Sequence, residues 1–446
     1  MTPGSDAGSA TTPARGGARG EPALHEVLLS RGYLRLLLLC GLLGVPVALA
    51  SFFFVSCQHL LQHAVWETLP GKFGFGHAPW WWPLPALLAA GLILAPIVTR
   101  MPGRGGHLPV HGLGGTPIGP RELPGVALAA LATLPLGVVL GPEAPLMAVG
   151  SGLALLAVRS MRATDRRTST VLATAGSTAA ISTILGGPVA AAVLVIEAAG
   201  LAGPQLVVLL LPCLLASATG ALVFTGFGQW TGLKTGALAL PSVPPDVRPD
   251  AGDFLWGIPA AVLIAALVAL LRRFGHRTAA WTGAKSTASR TVGCALAVGV
   301  LLAAYALLTG RSPEEAALSG QSTLAELAAH PHAWSVAALA ALVLCKGLAW
   351  GISLGAFRGG PIFPAVLLGA TAAMACSGLP GLGATPALAL GIAAAMATVT
   401  GLPLSSAVFT VLVLGPDAFN QMPLIVIAAV VAVVVAQGLR EKADVP

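Results

Sequence analysis

The stretch Gly141-Pro142-Glu143-Ala144-Pro145 decides how this chain is read. It follows the apolar run Val126 to Leu140 and precedes the apolar run Leu146 to Val158, and Glu143 is the sole charged residue between Glu122 and Arg159. A carboxylate at membrane depth costs on the order of a few kcal/mol, so it marks a functional site by default. The Gly and Pro around it break the helix, and the chain restarts at Pro145 or just before it. A restarted helix offers free N–H groups and a positive dipole end, a natural place for an anion. Glu143 would stand there as a built-in competitor. The same five residues also suit a polar turn between two spans, with Glu143 among lipid headgroups.

The composition places the break in a membrane. Of 446 residues, 56% are hydrophobic and 9% charged, and the mean hydropathy is +0.85. A soluble domain carries about 25% charged residues. The chain therefore reads as an all-α polytopic membrane protein. The 55 Gly and 35 Pro fit helices interrupted inside the bilayer. A net charge of +7 is read as membrane orientation, not nucleic-acid binding. The six cysteines are scattered without a C-x-x-C. The pairs His59/His63 and His107/His111 have no third ligand nearby in sequence, so no metal and no cofactor are expected.

Residues 1–30 read as a disordered polar tail, 31–438 as one transmembrane domain, and 439–446 as a short polar tail. Leu34–Val55 reads as the first full span and Ser56–Pro79 as a polar-to-aromatic connection leading to an interface at Trp80–Trp82. Several later apolar runs hold about ten to fourteen residues, too short to cross a ~30 Å core. The breaks come in matching pairs. Gly141–Pro145 and Gly186–Pro188 are echoed by Gly359–Pro364 and Gly401–Pro403, with roughly 40 residues between the breaks of each pair. GGPVAAAVLVIE resembles GLPLSSAVFTVL. A two-fold repeat, inverted in topology, is expected, with halves at about residues 80–225 and 254–438 and the substrate site where they meet. The Arg272–Arg290 link and the weaker pair Arg440 and Lys442 favour cytoplasmic termini. No G-x-S-x-G, H-E-x-x-H or Walker pattern occurs, so an intramembrane enzyme has little support beside an anion carrier.

From about residue 31 to 438 the chain resembles the CLC chloride channels and proton-coupled chloride transporters. GPEAP resembles the family's G-(K/R)-E-G-P, RGGPIFP its GG-x-F-x-P, and GGPVAAAVLVIE its P-L-A-G segment ending in Glu, while GGHLP lies in the place of G-S-G-I-P. The resemblance implies a homodimer in a bacterial-type inner membrane that moves chloride, or a similar anion such as fluoride, as a channel or a proton antiporter. It implies Glu143 as the gate and an anion held near Gly105, Gly106, His107, Ala144, Pro145, Ile362 and Phe363. It also departs from the pattern. Gly106 stands in place of a serine hydroxyl, leaving its N–H to serve. Pro142 replaces a basic residue, and Pro361 has no N–H to offer. Ala198 takes the place of the inward proton-transfer Glu, leaving Glu197 one residue earlier as the candidate. No C-terminal Tyr follows, the tyrosines being Tyr33 and Tyr305, and no regulatory domain is expected after Gln437. Coordination by partial charges alone is expected, because a buried Lys or Arg would hold a halide too tightly. Burial and the helix dipoles act on Glu143 in opposite senses, and their balance would set the pH dependence of flux. Lys346, in an apolar run, is expected to snorkel or contact carbonyls.

Overall fold

The computed structural model describes residues 24–112, 117–160, 165–232, 240, 243–244, 248–284 and 286–444. Their α-helices are α1 (Leu24–Leu29), α2 (Arg31–His63), α3 (Leu69–Lys72), α4 (Pro83–Arg100), α5 (Leu123–Thr133), α6 (Glu143–Ser160), α7 (Arg166–Ser182), α8 (Pro188–Ala199) and α9 (Gly203–Thr231) in the first part of the chain. They continue as α10 (Ala251–Ala284), α11 (Thr287–Thr309), α12 (Gln321–Ala329), α13 (Val336–Ala356), α14 (Ile362–Met374), α15 (Ala384–Thr400), α16 (Pro403–Leu414) and α17 (Ala418–Asp444). Among the described residues, seven helical stretches are long and apolar enough to span a bilayer, while α5, α8, α14, α15 and α16 are apolar but shorter. The protein is an integral membrane protein built as an inverted repeat of tilted and interrupted helices.

Of the expected tail at 1–30, residues 1–23 lie outside the described region, while Leu24–Leu29 form α1 and the Ser30 side chain caps α2 by accepting from Tyr33 N–H. The first span is longer than its apolar run suggests. Helix continues through His63 and a π-helical turn, Ala64–Thr68, into α3. Polar residues 56–72 stay helical because packing, not hydropathy, holds this stretch: Ser56, Gln58 and Trp66 are buried, and Trp66 Nε1–H donates to Pro135 O at 3.0 Å. Residues 439–444 prolong α17 where a polar tail was expected.

The four interruptions restart helices in the same way. Gly186 and Gly187, at φ +88° and +144°, turn the chain before Pro188 opens α8. Gly401, at φ +74°, ends α15 before Pro403 opens α16. Proline suits the first helical turn, where its missing N–H leaves no bond unmade. The remaining breaks, before α6 and α14, meet each other. Gly141 N–H donates to Gly360 O at 2.8 Å and Gly360 N–H donates to Gly141 O at 2.6 Å, an isolated antiparallel bridge joining the two halves.

Each half also has a close helix pair with the same construction. α6 crosses α7 where a Cβ on Gly150 would strike Gly176 O, and one on Gly176 would strike Gly150 O. α14 crosses α15 where Gly369 and Gly391 are related in the same way. Without a hydrophobic force between helices in lipid, backbone approach at such small residues provides the packing.

Lys346 on α13 is fully buried, and its Nζ donates to three carbonyls, Ala316 O at 3.0 Å, Ala317 O at 2.7 Å and Leu318 O at 3.3 Å. It fixes the connection between α11 and α12, where Leu318 sits at φ +61°. The same connection is tied by Arg311 to Glu315 at 2.8 Å. Lys346→Met leaves those carbonyls without their donor inside the protein. It is expected to destabilise the fold by on the order of 3 kcal/mol. The readout is the thermal unfolding midpoint in detergent, and an unchanged midpoint would show that the ammonium is not needed there.

Candidate functional site

Glu143 is the first residue of α6 and is fully buried. Its Oε1 accepts a hydrogen bond of 2.8 Å from Phe363 N–H in the first turn of α14. Its Oε2 has no hydrogen-bond partner among the described residues. The carboxylate is folded against the Gly141–Gly360 bridge: a Cβ at either glycine would fall on Oε2. One half of the molecule thus provides the carboxylate and the other the helix N-terminus that receives it. First-turn N–H groups lack acceptors within their own helix and carry the positive end of its dipole, so an anionic group is stabilised there. Phe363 itself is buried beside Phe409, with ring centroids 6.4 Å apart.

The residues that follow Glu143 in α6 line a cavity of about 70 Å³, although Glu143 itself does not. Gly105, Gly106 and His107 form one wall, Ala144 and Pro145 a second, and Arg358 and Gly359 a third, with Ser151 and Ser177 behind them. Three breaks far apart in sequence therefore converge on one space. Ile362 and Phe363 do not line it; both are buried in the first turn of α14, and Phe363 serves Glu143.

Two expectations about the donors change. Gly106 N–H, expected to face the anion, instead donates to Gly103 O at 2.8 Å, because Pro102–Gly105 closes as a 3-10 turn. The expectation that partial charges alone line the space is also corrected. Arg358 is 8% exposed and borders the cavity. Its Nε donates to Arg104 O and its Nη1 to Phe357 O, each at 3.1 Å, and these carbonyl dipoles make a buried cation tolerable. The sequence carried a signal for it: Arg358 is the sole charged residue between Lys346 and Asp417, the counterpart of the isolated Glu143.

A second cavity, of about 430 Å³, shares Gly112, Pro117, Met147 and Ser177 with the first and reaches Ala198, Thr400 and Leu402. The candidate proton carrier Glu197 has another task. Its Oε1 accepts from Leu404 N–H at 2.9 Å, and its Oε2 accepts from Ser405 N–H at 2.7 Å and from the Ser405 hydroxyl at 2.6 Å. The carboxylate at the end of α8 caps the N-terminus of α16. Glu197→Ala is expected to destabilise the protein by about 1–2 kcal/mol through loss of that cap. Glu197→Gln, which keeps a carbonyl acceptor, should retain ion flux close to wild type. A folded glutamine variant with flux reduced tenfold would instead mean that Glu197 carries protons.

The model of the voltage gated chloride channel family matches residues 107–437. YfeO, an Escherichia coli protein named for ion transport, is 32% identical over 166 residues in strains O1:K1 / APEC and K12 / DH10B. That alignment covers 36% of this chain and 39% of YfeO, so the match spans well under half of the relative's length. Two solved structures share the fold. The crystal structure of a CLC-type fluoride/proton antiporter superimposes with a TM-score of 0.71 at 19% identity, covering 91% of this chain and 96% of that one. The structure of a slow cyanobacterial Cl⁻/H⁺ antiporter gives 0.74 at 16% identity, covering 91% and 95%. With three quarters of its length matched by the family model and nearly all of it by this fold, the chain belongs to the voltage gated chloride channel family.

Proposed function

We propose that this protein conducts chloride or a similar small anion passively across the membrane, with Glu143 as the gate. The observation that carries this reading is the carboxylate seat. A buried negative group, held by a helix N-terminus of the opposite half, occupies a place suited to an anion, and the next residues of its helix, Ala144 and Pro145, line a cavity with a buried guanidinium. With the carboxylate seated, the N–H of Phe363 is taken. When it takes up a proton its charge is lost, the bond to that N–H weakens, and an anion can replace it.

Passive conduction is favoured over proton exchange by the inner carboxylates. Ala198, which borders the second cavity, cannot carry a proton, and Glu197 is held by three donors. No acidic residue is found among the described residues lining that cavity. We assign the protein to a bacterial-type inner membrane with cytoplasmic termini, supported by the basic links, and to a homodimer, supported by the family resemblance alone. The transmembrane domain is taken as residues 31–438, with halves at about 80–225 and 254–438, supported by the matched breaks at α6/α14 and α8/α16.

The test is anion efflux from proteoliposomes with proton movement recorded at the same time, using chloride and then fluoride. Downhill chloride efflux without uphill proton movement is expected. Proton pumping driven by a chloride gradient would replace the passive reading with coupled exchange. Fluoride efflux in the absence of chloride efflux would reassign the anion.

A further inference from the structure

The two halves of the chain each place one isolated charge at the break where they meet, Glu143 in the first and Arg358 in the second. They form no ion pair among the described residues. Arg358 is nine-tenths buried, and its guanidinium donates to carbonyls, not carboxylates. A guanidinium withdrawn from water without an acid partner is costly unless something else compensates it. Two carbonyls compensate it in part and fix its plane, and the small cavity lies against it.

The other groups around the cavity make this placement informative. Gly106 N–H is bonded to Gly103 O. The Ser151 and Ser177 hydroxyls donate to Ala148 O at 3.2 Å and Met147 O at 3.0 Å, so they turn lone pairs, not protons, toward the space. An anion there would find few free donors besides the guanidinium, the His107 ring and the first-turn N–H groups of α6.

We propose that Arg358 is an anion-binding residue, its guanidinium contacting the permeating anion in this cavity and setting the affinity of the pore. The inference rests on the anion-conduction reading and deepens it. The two carbonyl bonds keep part of the positive charge engaged, which lets the anion leave again.

The experiment compares wild type with Arg358→Gln, Arg358→Met and Arg358→Lys in proteoliposomes, measuring chloride efflux against internal chloride concentration. The neutral variants are expected to raise the half-saturating concentration about tenfold or more. Lysine keeps the charge but not the planar fork, and is expected to raise it about threefold. A purely structural role would lower maximal flux with the fraction of folded protein and leave half-saturation unchanged. A folded neutral variant with half-saturation within twofold of wild type overturns the proposal while leaving anion conduction intact. Should neither neutral variant fold, the lysine variant decides, and unchanged half-saturation in it overturns the proposal. Absence of chloride and fluoride flux in folded wild-type protein would overturn the underlying reading and this inference with it.

Discussion

Glu143→Gln is expected to raise anion efflux about ten- to a hundredfold near neutral pH and to flatten its dependence on pH. The seated carboxylate accepts a charge-assisted bond from Phe363 N–H at 2.8 Å. Such a bond contributes about 1.5–3 kcal/mol, which corresponds to a ten- to hundredfold bias toward the closed arrangement. The amide has no negative charge to hold at the helix N-terminus, so an anion competes for that N–H on better terms. The direction with pH is fixed by the same step. Acid protonates the wild-type carboxylate and raises flux toward that of the variant, while the variant has nothing to titrate at this position. Efflux measured across a pH series in both proteins decides it. Equal flux in the two at every pH would remove Glu143 from the conduction path.

Gly360→Ala is expected to force the gate out of its seat. The added Cβ would overlap Glu143 Oε2, and the backbone cannot retreat because Gly360 is bonded in both directions to Gly141. Either the carboxylate leaves Phe363 N–H, giving elevated flux, or the overlap is tolerated at a cost in stability of about 1–3 kcal/mol. Adding Glu143→Ala to Gly360→Ala separates these causes, because the overlap disappears with the side chain. The double variant should recover the lost stability, with a coupling of about 1–3 kcal/mol between the two sites. Additive effects, together with wild-type flux in the single variant, would mean that Glu143 does not rest against this glycine.

Much of this arrangement was legible in the sequence because a membrane makes local violations informative. A lone carboxylate between prolines, and apolar runs too short to span, identify interrupted helices before any coordinates are known. The pairing of the breaks was visible as well, since Pro188 and Pro403 open helices after matching glycine turns. What could not be read is which donor meets which acceptor. Gly106 N–H is claimed by a 3-10 turn that its neighbours Gly103 and Arg104 form at positive φ, and a local turn of that kind has no apolar pattern to betray it. Glu197 caps a helix 207 positions away, which depends on the tertiary contact of α8 with α16. The glycine crossings at Gly150–Gly176 and Gly369–Gly391 were hidden by the abundance of glycine elsewhere. Arg358 is an isolated charge in the sequence that was not singled out there, and one of the carbonyls that temper it, Arg104 O, comes from a position 254 residues away.

The central claim is that the Glu143 carboxylate occupies an anion's place at the start of α14. Crystals of Glu143→Gln grown or soaked in bromide test it most directly, through anomalous scattering. The expected result is a bromide peak within hydrogen-bonding distance of Phe363 N–H, absent from wild-type crystals treated in the same way while the carboxylate is seated. An ordered variant with Phe363 N–H in place and no bromide beside it would contradict the claim.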